Sequence, residues 1–165
     1  MDPRTTSPSA GELDAGTAQV LRRFRLVFNA VKTHFQQIEK KAGLGGAQVW
    51  ALSIVRAHPG IGVGRLARAM DVHPSTASNL VKTLVERGMV EAAKDGADRR
   101  AVQLRVLPAG SRLLRRMPGP FAGVLPDALA RLDRRTLKRL DRDLAALIEL
   151  LGADQRAAGI PLSEL

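Results

Sequence analysis

Between residues 47 and 107 the chain sets down five structural elements at such short intervals that few folds can hold them. "AQVWALSIVRAH", 47–58, reads as a helix apolar on most sides, and Pro59-Gly60 stops it. "RLARAMD", 65–71, is a short helix. After "VH", Pro74 stands in the first turn of another, "PSTASNLVKTLVERG". That helix puts Ala77, Leu80, Val81 and Leu84 on one face and ends at Gly88. "MVEAAK" and "RRAVQLRV" follow, with "DGAD" between them. Val102, Leu104 and Val106 alternate with Gln103 and Arg105, and Asp95-Gly96 is a strong turn pair, so this stretch reads as a β-hairpin. Two helices joined by about three residues and followed by a hairpin match a helix-turn-helix with a wing.

One stretch competes with that reading. Gly62-Val63-Gly64-Arg65-Leu66-Ala67 fits G-x-G-x-x-A, the fingerprint of dinucleotide-binding proteins. The fingerprint works in a strand–turn–helix elbow, where the helix N-terminus receives the pyrophosphate, and it needs an acid at the end of a second strand about 20 residues on. Here a helix precedes the glycines and the acid is missing, so they read as a turn between two helices.

The flanks are helical. Residues 17–42 carry Val20, Leu21, Phe24, Val27, Phe28, Val31, Phe35 and Ile38 at 3/4 spacing, about seven turns, and "GLGG" ends the run. "LPAGSRLLRRM", 107–117, starts another helix, which "PGP", 118–120, must break or kink. "FAGVLPDALARL" returns to helix. In 133–151, Leu137, Leu140, Leu144, Leu147, Ile148 and Leu151 form a heptad-like stripe. That stripe is a dimer seam or, alternatively, an intramolecular core. The expected organisation is a disordered leader over 1–16, one domain over 17–152 and a tail over 153–165. Within the domain, 47–107 is the winged part, and 17–42 with 108–152 supply the flanking helices. The fold class is mainly α with a small β-hairpin.

Composition narrows the partners. The net charge is +10, from 26 basic and 16 acidic residues, which points to an acidic partner such as nucleic acid. The surplus is spread along the chain, at +4 over 1–60, +3 over 61–107 and +4 over 108–152, so charge alone marks no binding face. Aromatics are few (Trp50, Phe24, Phe28, Phe35, Phe121), which disfavours a stacking platform for single strands. No cysteine is present, which removes disulfides, thiol redox sensing and thiolate metal sites. Three scattered histidines without a carboxylate pattern make no metal site, and no cofactor is expected. No nucleophile motif, phosphate loop or acid–base pair stands at motif spacing, so no catalytic residue is assigned. No apolar run reaches 18 residues and the first 16 residues lack a signal-peptide core, so a cytoplasmic protein without a membrane span is expected.

The helix beginning at Pro74 offers Ser75, Thr76, Ser78, Asn79 and Lys82 on the side away from its apolar face. These residue types suit reading of a major groove: Asn can pair bidentately with adenine, Lys with guanine, Ser and Thr with bases or phosphates. A plain solvated face is the other reading. At the hairpin tip Arg99 or Arg100 can enter a minor groove, with Asp98 holding the neighbouring guanidinium.

The run "QVWALSIVRAHPGIGVGRLARAMDVHPSTASNLVKTLVERGMVEAAKDGADRRAVQLRVLPAGSRLL" resembles the MarR (multiple antibiotic resistance regulator) family. The resemblance is carried by "HPG", the "LARAMDV" helix, "PST" at the next helix start, "L.ERG.V" at its end and "D..DRRAVQL.VLPAG" beyond. It implies a homodimeric transcriptional regulator that dimerises through the terminal helices and places two recognition helices in successive major grooves of a pseudopalindrome, wings in the flanking minor grooves. It also implies a small aromatic or phenolic effector. His34, Trp50 and Ser53 are candidates for lining its pocket, against the plainer reading of His34 and Trp50 as core residues. The chain departs from the family pattern at His73, a poor helix cap where Ser or Thr is usual, at Asn79, where arginine is frequent, at Gly62, where a capping Ser or Thr is common, and in the "PGP" break. Two functions are carried forward: a sequence-specific, ligand-responsive repressor, and a nonspecific or architectural DNA binder.

Overall fold

A computed structural model describes residues 13–94 and 102–164. The order is α1 (Ala15–Ala42), α2 (Gly46–Ala57), α3 (Val63–Met70), α4 (Pro74–Glu86), β1 (Val90–Lys94), β2 (Val102–Val106), α5 (Pro108–Arg116), α6 (Val124–Ala130) and α7 (Arg134–Leu151), followed by 3₁₀ turns at Gln155–Gly159 and Leu162–Glu164. The mainly helical class with one two-stranded hairpin agrees with the sequence reading.

α2 is the hub because it is apolar nearly all round: Val49, Ala51, Leu52 and Val55 are fully buried. It packs against α1, α3, α4, α5 and β2. Leu66 and Met70 of α3, Leu80 and Leu84 of α4, Val90 of β1 and Leu104 of β2 close the same core. The hairpin is antiparallel, with Val90 opposite Val106 and Lys94 opposite Val102. The glycine turn ahead of α3 is stitched to it: Gly60 N–H donates to the Leu104 carbonyl at 2.8 Å, and Leu104 N–H donates to the Ile61 carbonyl at 3.0 Å. Gly60 holds φ at 87°, a left-handed conformation that glycine adopts without a Cβ clash. Those glycines therefore form the turn between α2 and α3, pinned to β2 at Leu104.

The entry to α5 explains the "LPAG" sequence. Pro108 occupies the first turn of the helix. A Cβ at Gly110 would stand 2.6 Å from the Met89 carbonyl oxygen and 3.0 Å from both Leu52 Cδ1 and Val106 Cγ1. Only a bare Cα allows α5 to lie this close to the hairpin base.

Three expected boundaries shift. α1 opens at Ala15, within the expected leader over 1–16, because Asp14 caps it by accepting from Gly16 N–H at 2.9 Å and Thr17 N–H at 3.1 Å. Residues 1–12 lie outside the described residues. "PGP" separates α5 from α6 entirely, so 108–152 is three helices; Arg56 spans the break, with its guanidinium 5.8 Å from the Phe121 ring centre. The tail over 153–165 is also packed: its last turn, Leu162–Glu164, contacts α1 and α2.

Candidate nucleic-acid interface

α4 advances about 100° per residue. Its buried residues Ala77, Leu80, Val81 and Leu84 therefore form one wall, and Ser75, Ser78, Asn79 and Lys82 project from the opposite one. All four of these polar residues are exposed. Thr76 belongs to the flank and is half-buried, so the five expected residues do not stand equally toward solvent. Local bonds divide them further. Ser75 Oγ lies 2.6 Å from His73 Nδ1, and Ser78 Oγ donates to the Pro74 carbonyl at 2.9 Å. Lys82 Nζ lies 4.0 Å from a Glu86 carboxylate oxygen, in a well-solvated i,i+4 pair that constrains it little. The Asn79 amide has no partner among the described residues. It stands at the centre of the face with all its hydrogen-bonding capacity available.

His73 is a better cap than its residue type suggests. Its Nδ1 accepts from Ser75 N–H at 3.2 Å, replacing the hydroxyl that Ser or Thr would provide. Pro74, at the first helical position, has no N–H to satisfy. The turn into α4 is set by Asp71, which ends α3 in the left-handed region at φ 52°. Aspartate tolerates that conformation better than most residues.

α3 adds two cations that the sequence reading did not single out. Its buried residues are Leu66, Ala67 and Met70, and Arg65 and Arg68 stand exposed. Neither arginine has an ion-pair partner among the described residues. The periodicity could have found them: in a helix as short as "RLARAMD", whichever residues lie opposite Leu66 and Met70 must face solvent. The expected wing residues Asp98, Arg99 and Arg100 lie outside the described residues.

His34 and Trp50 border different cavities, and Ser53 lines neither of the two. His34 borders a cavity of about 120 Å³ with Gln37, Lys41 and Met117, and its Nε2 is buried without a partner. Trp50 borders a separate cavity of about 60 Å³ with Phe35 and Phe121. Ser53 is half-buried and donates its hydroxyl to the Trp50 carbonyl at 2.6 Å. Among the described residues no cluster of His, Asp and Glu could hold a metal ion, and no helix is long and apolar enough to cross a membrane.

A short helix and a recognition-type helix set across a tight turn, both resting on α2 and followed by a two-stranded hairpin, define a winged helix-turn-helix protein. The family model of the MarR family matches residues 42–101, which is 60 of the 165 residues. Among solved structures it is similar to a MepR-like protein complexed with pseudoligands, at 19% identity and a TM-score of 0.57 over 86% of this chain and 100% of that one. It is also similar to S. aureus MepR in complex with DNA, at 19% identity and a TM-score of 0.56 over 80% of this chain and 97% of that one. The transcriptional repressor CouR, bound to a 23-mer DNA duplex, is similar at 21% identity and a TM-score of 0.54 over 86% of this chain and 97% of that one. At these identities the likeness is one of fold. No curated protein matches the sequence.

Proposed function

We propose that this protein is a DNA-binding transcriptional regulator that acts as a homodimeric repressor on a pseudopalindromic operator and responds to a small aromatic or phenolic effector. The observation that carries the proposal is the α4 face of Ser75, Ser78, Asn79 and Lys82, exposed opposite the buried wall of the same helix. In this reading α4 lies in the major groove and Asn79 pairs with a base edge. Arg65 and Arg68 of α3 meet the phosphate backbone where the first helix crosses it. Thr76 approaches from the flank, and Arg99 or Arg100, steadied by Asp98, reaches the minor groove from the wing.

Two features support the dimer. α7 has no buried residue, and of α1 only Ile38 is buried. Val20, Phe28 and Leu151 are each more than half exposed. Long apolar stripes of this kind call for a second surface. MepR and CouR, two proteins of similar fold, are seen on DNA.

The test is selection from random duplex DNA at near-physiological salt. The expected result is an enriched palindrome with half-sites about one helical turn apart. Binding without enrichment would favour the architectural alternative. With the operator in hand, Asn79→Ala is expected to change preference at one base pair per half-site by about 1–3 kcal/mol. An unchanged preference profile would assign base reading to another side chain.

A further inference from the structure

After α7 the chain turns back onto the body of the molecule. Asp154 organises the return: it accepts from Arg156 N–H at 3.0 Å and pairs with the Arg156 guanidinium at 2.7 Å. The first 3₁₀ turn then brings Gly159 beside His73, where a Cβ on that glycine would lie 3.5 Å from the His73 nitrogen. Pro161 is buried, and the second turn settles over α1 and α2. There Phe35 and Ser163 press on the same bare backbone: a Cβ on Gly46 would stand 2.3 Å from the Phe35 ring and 3.1 Å from Ser163 Cβ.

This segment divides one crevice into two. On its inner side is the 60 Å³ cavity lined by Phe35, Trp50, Phe121 and Pro126. On its outer side is an open groove of about 490 Å³ lined by Val27, Val31, Lys32 and Leu125. Phe35, Leu162 and Ser163 line both and so form the partition. With the segment lifted away, the groove would run between α1, α2 and α6 as far as Trp50, within the usual size range of a small-molecule site.

The partition is lightly held. Among the described residues, the hydrogen bonds of 154–164 stay within that segment, as from Ile160 N–H to the Ala157 carbonyl and from Glu164 N–H to the Pro161 carbonyl. What seats it is burial of Pro161 and partial burial of Ser163, while Leu162 is 41% exposed. A contact of this kind belongs to the low-stability end of a structure.

We infer that Pro161–Ser163 are a built-in occupant of the crevice between α1, α2 and α6, which a small, flat, apolar ligand enters only by displacing them. The inference rests on the ligand-responsive part of the function proposed above and gives it a route. Because Gly159 rests against the cap of α4, lifting the segment frees the start of the helix that faces DNA. Ligand entry and DNA reading are thereby coupled through one strap.

Trp50, the single tryptophan of the chain, reports on the crevice. The experiment compares the full chain, a chain stopped after Gly152 and the point variant Leu162→Asp, using 1-anilinonaphthalene-8-sulfonate as the probe and energy transfer from Trp50 as the readout. The shortened chain is expected to bind the probe about tenfold more tightly and to show red-shifted Trp50 emission before the probe is added. Leu162→Asp is expected to shift both readouts the same way, and a peptide of residues 153–165 added in trans to reverse them in the shortened chain. Equal probe affinity and unchanged Trp50 emission in variants with unchanged circular dichroism would overturn the strap. If the shortened chain fails to fold, Leu162→Asp decides alone. DNA binding is measured separately on the full chain. Its absence would remove the functional reading and leave the strap result standing.

Discussion

The winged part of the molecule and its long flanking helices are built from equally apolar sequence, yet only one of them finishes its packing within the chain. From α2 to β2, nearly every periodic apolar residue is buried: Val49, Leu52 and Val55 on α2, Leu66 on α3, Leu84 on α4 and Leu104 on β2. Along α1 and α7 the same periodicity leaves Val20, Val27, Phe28, Leu137, Ile148 and Leu151 exposed. Hydrophobic patterning is therefore fulfilled locally in the first region and left open in the second. The first completes a core of its own, and in the function proposed above the second is completed by another copy of the chain.

Substitutions in the two regions are expected to part company. Leu66→Ala, which empties a fully buried site, should cost about 2–5 kcal/mol of folding stability at any protein concentration. The pair Leu144→Asp and Leu147→Asp on α7 should leave thermal unfolding of the winged part nearly unchanged. It should also abolish dimerisation and weaken operator binding about 100-fold or more, because two linked contacts become one. Denaturant melts alongside gel shifts check both. A large stability loss from the α7 pair would mean that the stripe is core after all.

Gly110→Ala sharpens the boundary between the regions. The added methyl must displace the Met89 carbonyl or α5 itself, at a cost of about 1–3 kcal/mol by overpacking. A neutral result in a denaturant melt would mean that α5 can move off the hairpin base freely.

Arg65→Ala with Arg68→Ala addresses the binding face. Folding should be unaffected, affinity should fall similarly for all duplexes, and the salt slope of binding should lessen by about two. An unchanged slope would place α3 away from the phosphates.

The smallest effect concerns the start of α7. Asp133 accepts from Thr136 Oγ1 at 2.7 Å and from Thr136 N–H at 2.9 Å, and these bonds, the hydroxyl's first, hold its carboxyl below the ordinary 3.8. The folded value is lowered, so the cap contributes fully above 3.8 and is lost as pH falls through the folded value. Carbon-detected NMR titration of the Asp133 carboxyl should give a midpoint under 3.8. A midpoint at or above it would mean that the cap is not formed in solution.

The helix order, the hairpin and the apolar wall of α4 were legible because each follows from a short-range period or a turn signal. The α4 polar face was legible for the same reason, as the complement of that wall. Other features depend on contacts between distant residues. Nothing local announces that the His73 ring would turn to cap α4, or that residues 153–164, with no periodicity of their own, would return to Phe35 and Gly46. His34 and Trp50 were grouped only by the effector pocket that the family resemblance implies. His34 lies one residue, and so about 100°, from Phe35 on α1, which sends the two side chains to different cavities. Arg65 and Arg68 were passed over because a charge count spread evenly along the chain hides which cations share a face.

The most direct test of the account is sedimentation of the full chain at micromolar concentration, alone and with the selected operator duplex. The account predicts a species of twice the chain mass in the absence of DNA, and two chains on one duplex in its presence. A stable monomer whose α1 and α7 remain helical, or a single chain saturating the duplex, would contradict the claim that the open apolar faces are completed by a second copy.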